Sequence, residues 1–250
     1  MLRLYSKSRK LGLLLVLGCL WASLADAAPV RTGTPFSVTM STANTGSGSV
    51  SIPADATFLV CGMSGYSSTA SIFSGGSMTI GGAAMTMGTA GDTGTDWKNA
   101  LFYKVSPATG TQTLAWDWSG TGTLTEAGFV MCATYKALDT ASPVRSIGCV
   151  QTSTSPYNTG SRAASAGDLA VIVLAAFVGG GDITFSFSNS TAVTQFTIAG
   201  NAEGAWAEAS PTTATTFSAS GVGSDDGSMC AVVLKPAAAG TPHRRRDMMY

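Results

Sequence analysis

The sequence predicts an all-β protein, an antiparallel β-sandwich of jelly-roll-like or immunoglobulin-like type, and three observations predict it. Short runs that alternate apolar and polar residues, or are wholly apolar, recur about every ten to fifteen residues. Clusters of Gly, Ser, Asp and Pro separate them, in a chain of 250 residues that holds 30 glycines and only 11% charged side chains. No segment after residue 27 shows the apolar period of an amphipathic helix, and the one ambiguous stretch, 97–105, has turn-forming flanks. Evenly spaced short strands between turns are what a sandwich or barrel requires.

Residues 1–27 read as a signal peptide. Arg3, Lys7, Arg9 and Lys10 precede an apolar run over 11–24, and Ala25-Asp26-Ala27 supplies a small-residue cleavage site. The run falls short of the roughly 20 residues a helix needs to cross a bilayer, so no stable membrane span is expected. The alternative is an unprocessed apolar N-terminus on a chain assembled in the cytoplasm, as in some virions.

Strands are then expected at 36–40, 49–52, 57–63, 77–80, 84–87, 100–105, 111–118, 128–135, 146–152, 169–177, 183–187, 194–198, 205–208, 213–219 and 229–234. The runs "TFLVCGM" at 57–63 and "LAVIVLAAF" at 169–177 are almost wholly apolar, whereas "FSVTM" at 36–40 and "SMTI" at 77–80 alternate. In "TQTLAWDW" at 111–118 the alternation places Leu114, Trp116 and Trp118 on one face and Ala115 and Asp117 on the other. The carboxylate therefore does not lie between the indoles; it turns towards water while both rings enter the core.

The pattern repeats internally. "TQTLAWDWSG" followed by "MCATYKA" at 131–137 is echoed by "ATTFSASG" at 214–221 followed by "MCAVVLKPA" at 229–237. Asp55 before "ATFLVC" and Asp168 before "LAVIVL" mark equivalent turns. Two pseudo-repeated halves that cannot bury their faces alone would pack on each other, making one domain over 28–237, with 238–250 a flexible basic tail carrying Arg244, Arg245 and Arg246.

The blocks "IPADATFLVCGMSG", "MTIGGAAMTM", "ALFYKVSPATGTQTLAWDWSG", "YKALDTASPVRS", "AGDLAVIVLAA" and "CAVVLKPAAAG" resemble a β-sandwich domain that recurs in secreted bacterial surface proteins and phage structural proteins. The resemblance covers about 36–238 and implies a jelly-roll-like or immunoglobulin-like sandwich with "SPATGTQT" as a hairpin turn. These are core and turn motifs, and the resemblance brings no shared activity or site residue with it.

Charge excludes one class of partner. The whole chain balances 14 basic against 14 acidic residues, but residues 28–240 hold only Arg31, Lys98, Lys104, Lys136, Arg145, Arg162 and Lys235 against twelve acids. A mildly acidic body with dispersed cations is not a nucleic-acid surface, which needs clustered Lys and Arg. A glycan or a surface protein is the expected partner, and a homo-oligomer is compatible with the composition.

Candidate chemistry is sparse. His243 is the only histidine and sits in the tail, so a histidine-based triad or zinc cluster has no basis. Cys61, Cys132, Cys149 and Cys230 are an even number in an exported chain and allow three connectivities. Cys132 with Cys149 would close a short loop, whereas the repeat sets Cys132 and Cys230 at equivalent "MCA" positions that suit facing central strands; four unpaired core thiols are the other outcome. No cofactor is expected; Asp92 and Asp96 in "GDTGTDWKN" and Asp225 and Asp226 in "GSDDGS" offer oxygen ligands in glycine-rich loops that calcium could take, but they lack EF-hand spacing and ordinary Asx turns explain them more simply. Trp97 and Tyr157, in polar surroundings, are the candidate exposed rings for stacking on a sugar. Glu126, Glu203 and Glu208 are the only glutamates and show no catalytic pairing. The expected function is that of a secreted, non-enzymatic surface or virion module that recognises a glycan or protein. The alternatives are a lectin-like protein with an aromatic or calcium site, and a hydrolase.

Overall fold

The computed structural model describes residues 27–69, 71–91, 97–125, 128–177, 184–198, 202–221 and 226–238, and among these every regular element is a strand. The N-terminal half contributes β1 (Val30–Arg31), β2 (Phe36–Met40), β3 (Thr45–Ile52), β4 (Phe58–Tyr66), β5 (Ser77–Ile80), β6 (Ala83–Ala84), β7 (Thr86–Gly91), β8 (Trp97–Val105), β9 (Gly110–Asp117) and β10 (Gly128–Lys136). The C-terminal half contributes β11 (Val144–Thr152), β12 (Tyr157–Arg162), β13 (Leu169–Phe177), β14 (Ser186–Ser188), β15 (Thr191–Ile198), β16 (Ala202–Ala209), β17 (Thr215–Ser220) and β18 (Gly227–Leu234).

These strands form four antiparallel sheets. In the first half a sheet ordered β1-β10-β4-β8-β7, with β2 also on β10, faces an outer sheet ordered β3-β9-β5-β6. In the second half β11-β18-β13-β16-β15 faces an outer sheet ordered β12-β17-β14. The repeat is thus a repeat of topology. Each half is a complete two-sheet sandwich, where the sequence suggested halves that share one, and the two stack through their larger sheets into four layers.

Side-chain alternation builds the layers. From β4, Leu59, Cys61 and Met63 enter the first sandwich's core with Met78, Leu114 and Trp116, while Phe58 and Val60 point the other way, into a joint shared with Val171, Val173, Trp206 and Val232. From β13, Ile172 and Leu174 enter the second sandwich's core with Tyr157 and Phe217. The central strands read as unbroken apolar runs because both of their faces are covered. Outer strands alternate because one face meets water.

Three expected strands, 36–40, 77–80 and 169–177, have the observed bounds. The expected 84–87 strand is divided between β6 and β7, with Met85 bonding back to Met78 between them. Strand β12 was not expected, because "YNTGSR" hides its period: its second inward residue is Thr159, whose hydroxyl accepts a hydrogen bond from the Phe217 amide at 3.2 Å beside a register shift. That hydroxyl meets a backbone donor the irregular pairing leaves open, so a buried polar residue is tolerated there.

Candidate functional site

The two aromatic candidates are corrected first. Trp97 begins β8 and is fully buried, with Tyr66 edge-on to it at 6.3 Å. Tyr157 begins β12, also fully buried, and meets Phe185 edge-on at 6.4 Å. Both rings lie under their sheets and offer no face to a sugar. Lys98 and Asn99 beside Trp97 are themselves buried, and Asn158 beside Tyr157 lies on the other face of its strand, so polar flanks did not mean an exposed ring.

Of the acidic candidates, Asp92, Asp96 and Asp225 lie outside the described residues. The Asp226 carbonyl accepts from the Phe177 amide at 2.8 Å, closing the mouth of β18 on β13. Among the described residues there is no group of three or more potential metal-ligating side chains. Arg244, Arg245, Arg246 and His243 also lie outside the described residues.

The cysteines pair as Cys61–Cys132 and Cys149–Cys230, with Cα separations of 4.1 and 4.0 Å. Neither the short Cys132–Cys149 loop nor a Cys132–Cys230 bridge forms. Each bond joins residues directly opposite on adjacent antiparallel strands, β4 with β10 and β11 with β18. The "MCA" echo is out of phase by one residue: Cys132 faces the first outer sheet and Cys230 faces the joint. A one-residue shift in a strand moves a side chain to the other face, so the two equivalent-looking cysteines point away from each other's partners.

The "LAWDWSG" strand behaves as the alternation requires. Trp116 and Trp118 stack at 6.5 Å under the sheet, and Phe73 meets Trp118 edge-on at 5.5 Å. Asp117 is exposed, and its carboxylate accepts the Ser119 amide at 2.8 Å. That backbone hydrogen bond holds its pKa below the usual carboxylate value.

What the outer sheets present to solvent is hydroxyl. On the first sandwich, register sets Thr45 beside Asp117 and Ser77, Ser47 beside Ala115 and Thr79, Ser49 beside Thr113, and Ser51 beside Thr111. The second sandwich repeats this with Ser188, Ser218 and Asn158 in one row, Ser186 and Ser220 in another, and Ser161 beside Thr216. Adjacent rows on a sheet stand about 4.7–4.9 Å apart across the strands and roughly 6.6 Å along them. Thr184, Ser186, Ser220 and Gly221 line a shallow hollow of about 180 Å³ at the edge of the second array. These surfaces offer neutral donors and acceptors at short, regular spacing, suited to many weak hydrogen bonds rather than to one tight ligand.

A second polar system crosses the joint. The Tyr135 hydroxyl donates to Glu208 Oε1 at 2.8 Å and accepts from Trp206 Nε1 at 3.2 Å. Arg31 Nε lies 3.0 Å from the same carboxylate, off its N–H direction, so the contact is an ion pair without a hydrogen bond. Burial, reinforced by the Glu208 charge, pushes the Tyr135 phenol well above its usual pKa. These residues come from β10, β16 and β1, and no local motif announces their meeting. Alternation also parts the two described glutamates: Glu208 faces the joint with Trp206, whereas Glu203 lies on the face of Ala205 and Ala207, so they do not form a flanking pair.

The geometry defines a class, an all-β protein of two stacked sandwiches with hydroxyl-faced outer sheets. Comparison with known proteins finds no matching family model, no matching curated protein and no matching solved structure. Among the described residues no helix is long and apolar enough to cross a membrane.

Proposed function

We propose that this chain is an exported, non-enzymatic structural and binding module of a cell surface or a virion, which contacts a glycan or a protein through its outer faces. The observation that carries the reading is the pairing of in-register Ser and Thr rows with a rigid support: each array lies over a packed core, and each half holds a disulfide. Regular hydroxyls on an unyielding sheet lose little entropy on contact, which favours repeated weak hydrogen bonds to an extended polar surface. Two disulfides fit a chain that folds in an oxidising compartment, in keeping with the leader-like segment. A mildly acidic body without clustered cations supports a partner other than nucleic acid.

The test has two parts. Intact-mass measurement of protein from its native source is expected to show a chain starting near Ala28 and lacking the hydrogens of four thiols. Retention of Met1 with all five thiols free would overturn export. In a glycan array and a cell- or virion-surface pulldown, Ser49→Gln combined with Thr113→Gln, and Ser218→Gln combined with Ser188→Gln, which crowd the rows without adding charge, are expected to weaken binding strongly while leaving the melting temperature nearly unchanged. Undiminished binding by both variants would reject the outer faces as the contact surface.

A further inference from the structure

The cations of the body are held in different ways, and Arg162 differs from the rest. Arg31, Lys136, Arg145 and Lys235 each lie against a carboxylate. Lys104 donates to the Ala84 carbonyl, and Lys98 is buried and engaged. Arg162, at the end of β12, lies against no carboxylate among the described residues. Of the five N–H donors a guanidinium carries, one from Nη1 reaches the Ile147 carbonyl at 3.1 Å, and Nε is buried with no acceptor among the described residues.

The guanidinium is nonetheless held in place. It lies over Gly148 of β11 so closely that a Cβ there would sit 1.7 Å from Nη1, and a Cβ on Gly160 would sit 2.9 Å from Nη2. Two glycines thus form a cradle for this side chain, with Val150 also against Gly160, at the edge where the two sheets of the second sandwich meet. Burial draws the Arg162 pKa down from its usual value, the sign of a cation short of compensation. A preorganised guanidinium with unused N–H groups is suited to a planar or tetrahedral oxyanion, which it takes bidentately. Thr215 stands opposite it in register on β17, whereas Ser161 and Thr216, one residue along, point to the outer face, so hydroxyls flank the sheet edge that the guanidinium fills.

We infer that Arg162 is an oxyanion-binding subsite for an acidic polysaccharide, taking the carboxylate of a uronic acid or a sulfate ester at the sheet edge while the outer-face hydroxyls of Ser161 and Thr216, round that edge, meet adjoining sugars of the polymer. This rests on the glycan-contact reading above and narrows it to a charged glycan. A uronic acid or sulfated sugar combines one anion with several hydroxyls, which is the combination this edge presents.

The full chain is titrated by calorimetry with polygalacturonate, sulfated dextran and neutral dextran, and with free acetate and sulfate as separate arms. Wild type is expected to prefer an acidic polymer to neutral dextran. Arg162→Gln should weaken that binding about tenfold or more, the loss expected for charge-assisted hydrogen bonds. Arg162→Lys should recover part of it, and Gly148→Ala should lose it with the charge retained. Lys136→Gln, which removes an equal charge elsewhere, should bind as wild type. Equal weakening by Arg162→Gln and Lys136→Gln would overturn the inference, because only net charge would then be at work. Full competition by free acetate or sulfate at matched anion concentration would overturn the polysaccharide as the source. Equal binding of neutral and acidic polymers would overturn the Arg162 subsite and leave the glycan reading standing, whereas no binding of any polymer would overturn both.

Discussion

The first and second sandwiches follow one strand order, β2-β10-β4-β8-β7 in one and β11-β18-β13-β16-β15 in the other, yet they are filled differently. The first holds its disulfide inside its own core, where Cys61 and Cys132 are both fully buried. The second places Cys149–Cys230 at the joint, with Cys149 only half-buried. At the open edge of the first, Val38 packs against Gly48; at the corresponding edge of the second, the Arg162 guanidinium lies over Gly148. Strand β9 and the residue that follows it carry two indoles inward, Trp116 and Trp118, and the counterpart β17 carries Phe217 and Ala219. Topology is set by which faces are apolar and where the turns fall, and many fillings satisfy it. Contents are free to diverge, and a charged plug in one half is where chemistry can enter.

The joint that binds the halves is the place to break the comparison. Trp206 is fully buried there and donates to Tyr135. Trp206→Ala is expected to cost about 3–5 kcal/mol in a denaturant titration, through lost burial and a cavity that rigid sheets cannot close. Cores facing the outer sheets would be touched less, so tryptophan fluorescence from Trp116 and Trp118 should report the first sandwich unfolding separately if the joint fails first.

The disulfides sharpen the contrast. Sequence separations of 71 and 81 give each bond about 4.5 kcal/mol in the chain-entropy model. Under native conditions a soluble thiol reductant should open Cys149–Cys230 before Cys61–Cys132, since it reaches only the half-buried sulfur. Peptide mapping after timed alkylation checks this, and simultaneous labelling of all four cysteines would refute it.

The smallest effect is a pH dependence confined to the joint. Because the folded-state pKa of Tyr135 is raised above the unfolded value near 10, its contribution to stability is complete below about pH 10 and is lost as pH rises from there towards the folded value. Tyr135→Phe should flatten the fall in melting temperature above pH 10 relative to wild type, at a cost of about 1 kcal/mol at neutral pH for the lost hydrogen bonds. An unchanged alkaline slope would place the titrating group elsewhere.

Strand positions were legible where one period dominates. The wholly apolar 169–177 run could only be a covered strand, and the alternation in 111–118 placed Asp117 in water and both indoles inside. Strand β12 was illegible because a buried threonine breaks its period, and the same break made Tyr157 look exposed. Trp97 misled for a related reason: it opens its strand, and residues at strand mouths have polar sequence neighbours whatever their own burial. The Arg31, Glu208, Tyr135 and Trp206 meeting left no signal, since its partners come from strands far apart in the chain.

The sequence by itself determined the all-β class, the internal repeat and the inward or outward sense of most outer-strand residues, because these follow from local period and turn chemistry. Only the tertiary structure decided that each half closes as its own sandwich, that the cysteines pair with their nearest ladder neighbours, and that Arg162 meets no carboxylate among the described residues. Those outcomes depend on register and on which sheet covers which, and register is fixed by the sum of contacts across strands that the chain brings together only when it folds.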